Sequence, residues 1–153
     1  MKIEELRDHI CEAYPDLCPL LSVEFGDGTL VVPLERLHSA AADLKRIGFD
    51  RLGMLTAVDT GEQFNMVYRL QSTNLGAGMF LKTDVERDNP RVPTFCDLWS
   101  AADWQEREVF DLFGIVFVGH RDLRRILLPE DWKGYPLRKD YQDDTIIRRP
   151  DYI

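Results

Sequence analysis

Cysteine and histidine are scarce: the 153 residues hold three of each, Cys11, Cys18 and Cys96, and His9, His38 and His120. A structural zinc site wants four ligands, and iron–sulfur clusters want several thiolates, often opening with C-x-x-C. Neither pattern is present. The odd cysteine count and scattered spacing also give no disulfide framework, so buried or surface thiols without metal are the expectation. Long apolar runs are missing too. The longest charge-free stretch, Leu70 to Leu81, has twelve residues and includes Asn, Thr and two Gly. A membrane-spanning helix needs about 20 apolar residues. The start, Met1-Lys2-Ile3-Glu4-Glu5, lacks the basic end and apolar core of a signal peptide, so a cytoplasmic location is expected.

Basic excess is absent as well. The net charge is −8, which argues against a general nucleic-acid binder. The charge is unevenly placed, however. Residues 120–141 carry Arg121, Arg124, Arg125, Lys133, Arg138 and Lys139 against Asp122, Glu130, Asp131 and Asp140, a local +2 on an otherwise acidic body. A docking surface is the sharper reading of that segment, a solvated face the plainer one.

At 44% hydrophobic the chain can bury a core and is not disordered by composition. Ile3, Leu6, Ile10 and Ala13 fall at helical spacing, stopped by Pro15. Leu20–Phe25 and Thr29–Val32 flank Gly26-Asp27-Gly28, a hairpin pattern. Leu34, Leu37, Ala41, Leu44 and Ile47 mark an amphipathic helix closed by Gly48. Met54–Asp59 is a strand, Phe64, Met66, Tyr68 and Leu70 alternate along another, and Met79–Val85 forms a third. The order predicts an α+β fold: a mixed or antiparallel sheet with helices on one face, plus an extended C-terminal tail. Three regions are expected: 1–88 as the α+β domain, 89–128 as a helix and following segment packed on it, and 129–153 as the tail. Asn89 to Pro93 reads as a break. Ser100 and Asp103 suggest a capping box for a helix ending at Phe113, with Gly114 as its stop. Beyond Pro129, Trp132, Tyr135, Pro136, Tyr141 and Tyr152 sit among charges without periodicity. Solvated disorder is usually aromatic-poor, so this tail should lie against its own domain or another protein.

Two motif echoes are rejected. Gly76-Ala77-Gly78 lacks a third glycine and a following helix, so it is no dinucleotide loop. His120-Arg121-Asp122-Leu123 and Asp111-Leu112-Phe113-Gly114 mimic kinase motifs in reversed order, without a glycine-rich loop, and Leu127 stands where Asn would be needed. The acidic helix is more informative. Asp103, Arg107 and Asp111 are each four apart and predict an acid–base–acid ladder on one surface face, flanked by Glu106 and Glu108. A small enzyme using Glu106, Glu108 and Asp111 as a carboxylate site is one alternative, and a salt-bridged or docking helix is the other.

Glu106-Arg107-Glu108-Val109-Phe110-Asp111-Leu112-Phe113, six residues, His120, three residues and Arg124-Arg125-Ile126-Leu127 together resemble the signature of the 30 kDa subunit family of respiratory complex I. In bacteria this is the C-type component of the proton-pumping NADH:quinone oxidoreductase. The run from Leu128-Pro129-Glu130 through Trp132, Tyr135, Pro136, Arg138 and Lys139 to Tyr141 resembles it too. The resemblance implies a cofactor-free subunit at the cytoplasmic face of the membrane, peripheral, in the hydrophilic arm beside the quinone-reducing module. Its implied partners are the 49 kDa-type (D) and cluster-bearing (B, I) subunits. FMN, iron–sulfur clusters and quinone would sit in those partners, not here. The implied interface residues are Glu106, Arg107, Glu108, Asp111, His120, Arg124, Arg125, Trp132, Tyr135, Pro136, Arg138, Lys139 and Tyr141. An equivalent small subunit of a membrane-bound hydrogenase, or of a ferredoxin- or F420-fed dehydrogenase, remains the related alternative. A generic adaptor outside any redox complex would require the signature to be coincidence.

Overall fold

A computed structural model of the chain describes residues 3–16, 18–24 and 27–144. Helix α1 (Ile3–Ala13) leads into β1 (Leu21–Glu24) and β2 (Asp27–Val31), then α2 (Leu37–Ile47), β3 (Arg51–Asp59), β4 (Gln63–Ser72) and β5 (Ala77–Glu86). A second, smaller unit follows: β6 (Arg91–Pro93), α3 (Ala102–Phe113) and β7 (Val116–Val118). The five-stranded sheet has the order β1-β2-β5-β4-β3, with β2 and β5 parallel and the other neighbours antiparallel. The fold is α+β with a mixed sheet, as the element order implied.

Alternation makes one face of that sheet the core. In β4, Phe64, Met66, Tyr68 and Leu70 are all fully buried. Leu52 and Leu55 on β3 are both buried although an odd separation should put them on opposite faces. A register shift between Leu52 and Met54 reconciles them, because a bulge at Gly53 inserts the extra residue. The same apolar cluster takes in Leu6 and Ile10 of α1, Leu37 and Leu44 of α2, and Val109 and Phe113 of α3. It therefore runs unbroken across the boundary drawn at residue 88.

Several expectations need correction. Asn89–Pro93 is not only a break: Arg91–Pro93 pairs in parallel with Val116–Val118. Three-residue strands are too short to show a period. The capping box does not form, since α3 begins at Ala102 without a side-chain cap and the Asp103 carboxylate instead accepts from Arg121 at 2.9 Å. Cys11 and Cys18 are paired, with Cα atoms 4.7 Å apart; the end of α1 and the turn after Pro15 bring together residues whose spacing gave no such signal. Phe25 and Gly26 of the hairpin and Tyr152 of the tail lie outside the described residues. Residues 129–144 adopt neither helix nor strand and return onto the domain.

Candidate functional site

A helix leaves its last four carbonyls without internal partners. In α3 all four are satisfied, and mostly by the segment that carries the signature. Phe110 O accepts from Gly114 N at 2.8 Å, where Gly114 is left-handed with φ 72°. Asp111 O accepts from Arg125 Nη1 at 3.0 Å. Leu112 O accepts from Leu137 N at 3.1 Å, and Phe113 O from Arg138 Nε at 2.7 Å. Two arginines thus sit where the helix dipole favours cations. Tyr135 completes the closure. A Cβ on Gly114 would lie 2.5 Å from its ring, and the guanidinium carbons of Arg125 and Arg138 stand 5.2 and 4.9 Å from the ring centroid.

The Asp111 side chain is fully buried. Its Oδ1 accepts from Arg125 Nη1 at 2.7 Å. Its Oδ2 accepts from the amides of Ile126, Leu127 and Leu128 at 3.1, 2.7 and 2.9 Å. Burial alone would push this carboxyl up, but the three amides and Arg125 outweigh it and hold it below the usual range. The expected ladder of Asp103, Arg107 and Asp111 is therefore not a surface feature. Asp111 and Arg107 are buried, and each rung turns to the strap at 120–128. Asp103 takes Arg121, Arg107 Nε donates to Arg124 O at 3.2 Å, and Asp111 takes Arg125. The strap lies along α3 in that order.

Glu106 is fully buried. Its Oε1 accepts from Phe95 N at 2.6 Å, and its Oε2 from Thr94 Oγ1 at 2.6 Å and Cys96 Sγ at 3.6 Å. Burial raises this carboxyl above its ordinary value, only partly offset by those donors. Cys96, Glu106 and His120 are the one trio among the described residues whose donor atoms lie within 4.8 Å of one another. The Glu106 oxygens and His120 Nδ1 already accept hydrogen bonds. His120 Nδ1 accepts from Asp122 N at 3.0 Å, so Nε2 carries the proton and faces Asp103 O at 3.1 Å. Burial also raises the Cys96 thiol, which disfavours the thiolate a metal needs. The trio fits a hydrogen-bonded core better than a metal centre.

Four of the expected interface residues are exposed: Glu108, Arg124, Trp132 and Lys139. Arg125, Tyr135, Pro136, Arg138 and Tyr141 are half-buried. Glu106, Arg107 and Asp111 are buried, as is the side chain of His120. Sequence reading missed the other end of the tail's anchorage. Asp59, at the end of β3, accepts from Arg87, from Gly61 N at 2.8 Å and from Lys139 N at 2.8 Å. The Arg87 guanidinium holds its carboxyl far below the usual range, and the same arginine reaches Asp140 at 2.7 Å. Nothing local marks Asp59, because its tail partner is 80 residues away.

Residues 30–145 match the family model of the 30 kDa subunit of respiratory-chain NADH dehydrogenase. NADH-quinone oxidoreductase subunit 5 of Thermus thermophilus is 41% identical over 168 aligned residues, spanning 100% of this chain and 80% of that protein. The fused C/D subunit of the NADH-quinone oxidoreductase of Phocaeicola vulgatus is 42% identical over 115 residues, 73% of this chain and 22% of that longer protein. Among solved structures, the trypsin-resistant fragment (1–134) of Nqo5 superposes with TM-score 0.64 at 33% identity, over 80% of this chain and 100% of the fragment. A chain of the membrane-bound sulfane sulfur reductase, an archaeal respiratory membrane complex, superposes with TM-score 0.81 at 28% identity, over 98% of this chain and 95% of its own.

Proposed function

The chain belongs to the 30 kDa subunit family of respiratory-chain NADH dehydrogenase, and from that premise we propose that it is a cofactor-free structural subunit of a proton-pumping NADH:quinone oxidoreductase. It docks in the hydrophilic arm beside the quinone-reducing subunits, at the cytoplasmic face of the membrane. No helix among the described residues is long and apolar enough to cross a bilayer, which suits a peripheral place. The D-type subunit is its first partner: the Phocaeicola relative carries C and D in one polypeptide. The cluster-bearing B and I subunits complete its surroundings, and flavin, clusters and quinone sit in those partners.

The observation that carries this reading is the closure of α3. The signature charges that could have formed a carboxylate site, Glu106 and Asp111, are buried and fully hydrogen-bonded within the chain. They shape the end of the domain and leave Glu108, Arg124, Trp132 and Lys139 facing outward for contacts with other subunits. The test is biochemical. A tagged chain recovered from its host should bring with it a membrane-extracted complex that oxidises NADH and reduces quinone, while the purified chain should do neither. Turnover by the lone chain would overturn the reading.

The close superposition on the sulfane sulfur reductase chain favours one second reading, the equivalent subunit of a related membrane-bound complex fed by ferredoxin, F420 or hydrogen. The electron donor accepted by the recovered complex decides between the two.

A further inference from the structure

We propose that Cys11 and Cys18 form a reversible redox site, which a small thiol of the glutathione class opens and which sets whether α1 stays docked on the sheet. This rests on the reading above only for the cytoplasmic placement, which names the reductant.

The bond spans a sequence separation of 7 and joins the last turn of α1 to the single helical turn Cys18–Leu20, which leads into β1. Little else holds α1. Of its described side chains, Leu6 and Ile10 are the two that are buried, while Glu4, Glu5, Arg7, Asp8 and Glu12 are exposed. The Asp16–Arg36 ion pair after it is exposed on both sides and contributes little. A helix of 11 residues is marginal in water on its own, so α1 unwinds once Leu6 and Ile10 leave the core. Ile10 adjoins Cys11, and the crosslink therefore holds one of the two anchors directly in the cluster it shares with Leu30 of β2.

Both cysteines are half-buried rather than sealed, so a dissolved thiol can reach them. Disulfides on the cytoplasmic side of a membrane are seldom permanent, and those that form there are mostly catalytic or redox-sensing. Both also precede residue 30, where the match to the family model begins, so the site lies outside the signature that shapes the other end of the domain. Thiol exchange at the pair is balanced. One thiolate attacks a sulfur, the Cys11–Cys18 bond breaks, and the released cysteine takes up a proton while a mixed disulfide forms. A second thiolate attacks the small molecule's sulfur in that mixed disulfide and frees the other cysteine. Two electrons and two protons pass to the pair, and two small thiols leave as one disulfide. Cys96 does not intrude: its Sγ donates to Glu106 Oε2 at 3.6 Å, and burial raises its thiol, which disfavours the thiolate that reshuffling needs. By chain entropy, a crosslink closing about eight residues restrains the undocked state on the order of fiftyfold.

The test equilibrates the full chain across glutathione buffers from fully oxidised to fully reduced, counts thiols by alkylation after denaturation, and follows amide hydrogen exchange. One free thiol, Cys96, is expected at the oxidising end, and all three cysteines at the reducing end. On reduction the Ile10 amide, and the Tyr14 amide bonded to Ile10 O at 2.8 Å, should exchange on the order of fiftyfold faster, well ahead of the β4 amides. Cys11→Ser with Cys18→Ser should behave as reduced wild type in every buffer, and Cys96→Ser should switch as wild type does. Three thiols in the oxidising buffers would show that the pair does not form. One thiol persisting in the reducing buffers would make the bond a permanent staple. Reduction that leaves exchange in α1 unchanged would separate the bond from docking. Each of these overturns the proposal, and none bears on the assembly reading, which the recovered complex tests separately.

Discussion

Replacing Arg125 by Ala removes four hydrogen bonds at once: two to Asp111, through Oδ1 and the main-chain carbonyl, and one each to Trp132 O at 3.2 Å and Gly134 O at 3.0 Å. The Arg125 side chain is 13% exposed and that of Asp111 not at all. Breaking a buried pair by deleting one partner costs about 3–5 kcal/mol, chiefly because the remaining charge is stranded. Asp111 is stranded only in part, since Oδ2 keeps three amides, so the lower end of that range, about 3 kcal/mol, applies. A domain of this size is stable by about 5–15 kcal/mol. The variant should therefore fold at 25 °C but show a much lower urea midpoint in the isolated chain. Arg125→Lys should recover part of the loss, because one ammonium cannot reproduce the fork. A double-mutant cycle with Asp111→Asn should give a coupling of about 1–3 kcal/mol. A loss below about 1 kcal/mol would place the pair with exposed surface bridges and refute the closure argument. Normal stability of the isolated chain with failed assembly would move the Arg125 contact to a partner carboxylate.

Gly114→Ala should destabilise by about 2–4 kcal/mol in the same assay, combining a left-handed alanine with the displaced Tyr135 ring; in a Tyr135→Ala background the extra loss should fall to about 1–2 kcal/mol. Asp59 and Asp111 are both held below the ordinary carboxylate range, so the stability they supply is complete above the unfolded value of about 4 and lost as pH falls through the folded values. Acid unfolding followed by circular dichroism should therefore shift to higher pH in Asp59→Asn. Glu106 has the opposite sign: its folded value is raised, so its contribution is fullest below about 4.3 and declines as pH rises. Glu106→Gln should gain on wild type as pH rises above about 4.3, and a parallel pH profile for the two proteins would refute the assignment.

What periodicity can report, it reported. The alternation of Phe64, Met66, Tyr68 and Leu70 and the helical spacing of Leu37, Ala41 and Leu44 each describe one element packing on one core face, and the sheet and helices follow from them. The parallel pair Arg91–Pro93 and Val116–Val118 is too short for any period, and Gly53 hides a bulge that changes which residues face inward. The charges of α3 misled for a different reason. Spacing of four residues says which side chains share a helix face, but not whether that face is wet. Asp103, Arg107 and Asp111 share one, and it is covered by a strap 14 to 18 residues further along. Only the basic segment that follows, Arg121 to Arg125, hinted at that cover.

That arrangement explains why so polar a helix can end inside the protein. Buried ion pairs add little net stability compared with well-packed apolar groups, so Arg125 and Asp111 are not there to strengthen the core. Their geometry is specific: a carboxylate aimed at three successive amides permits one path for residues 126–128. Two arginines, one amide and Gly114 permit one way for the chain to pass the end of α3. Apolar side chains of equal volume would bury the helix end as well, but would leave the main-chain carbonyls of residue 111 and Phe113 without their arginine donors and the strap free to slide. The charged signature fixes the direction in which Leu127 and Trp132 are presented. On the proposed scaffold reading, that direction matters more than the extra stability an apolar closure would provide.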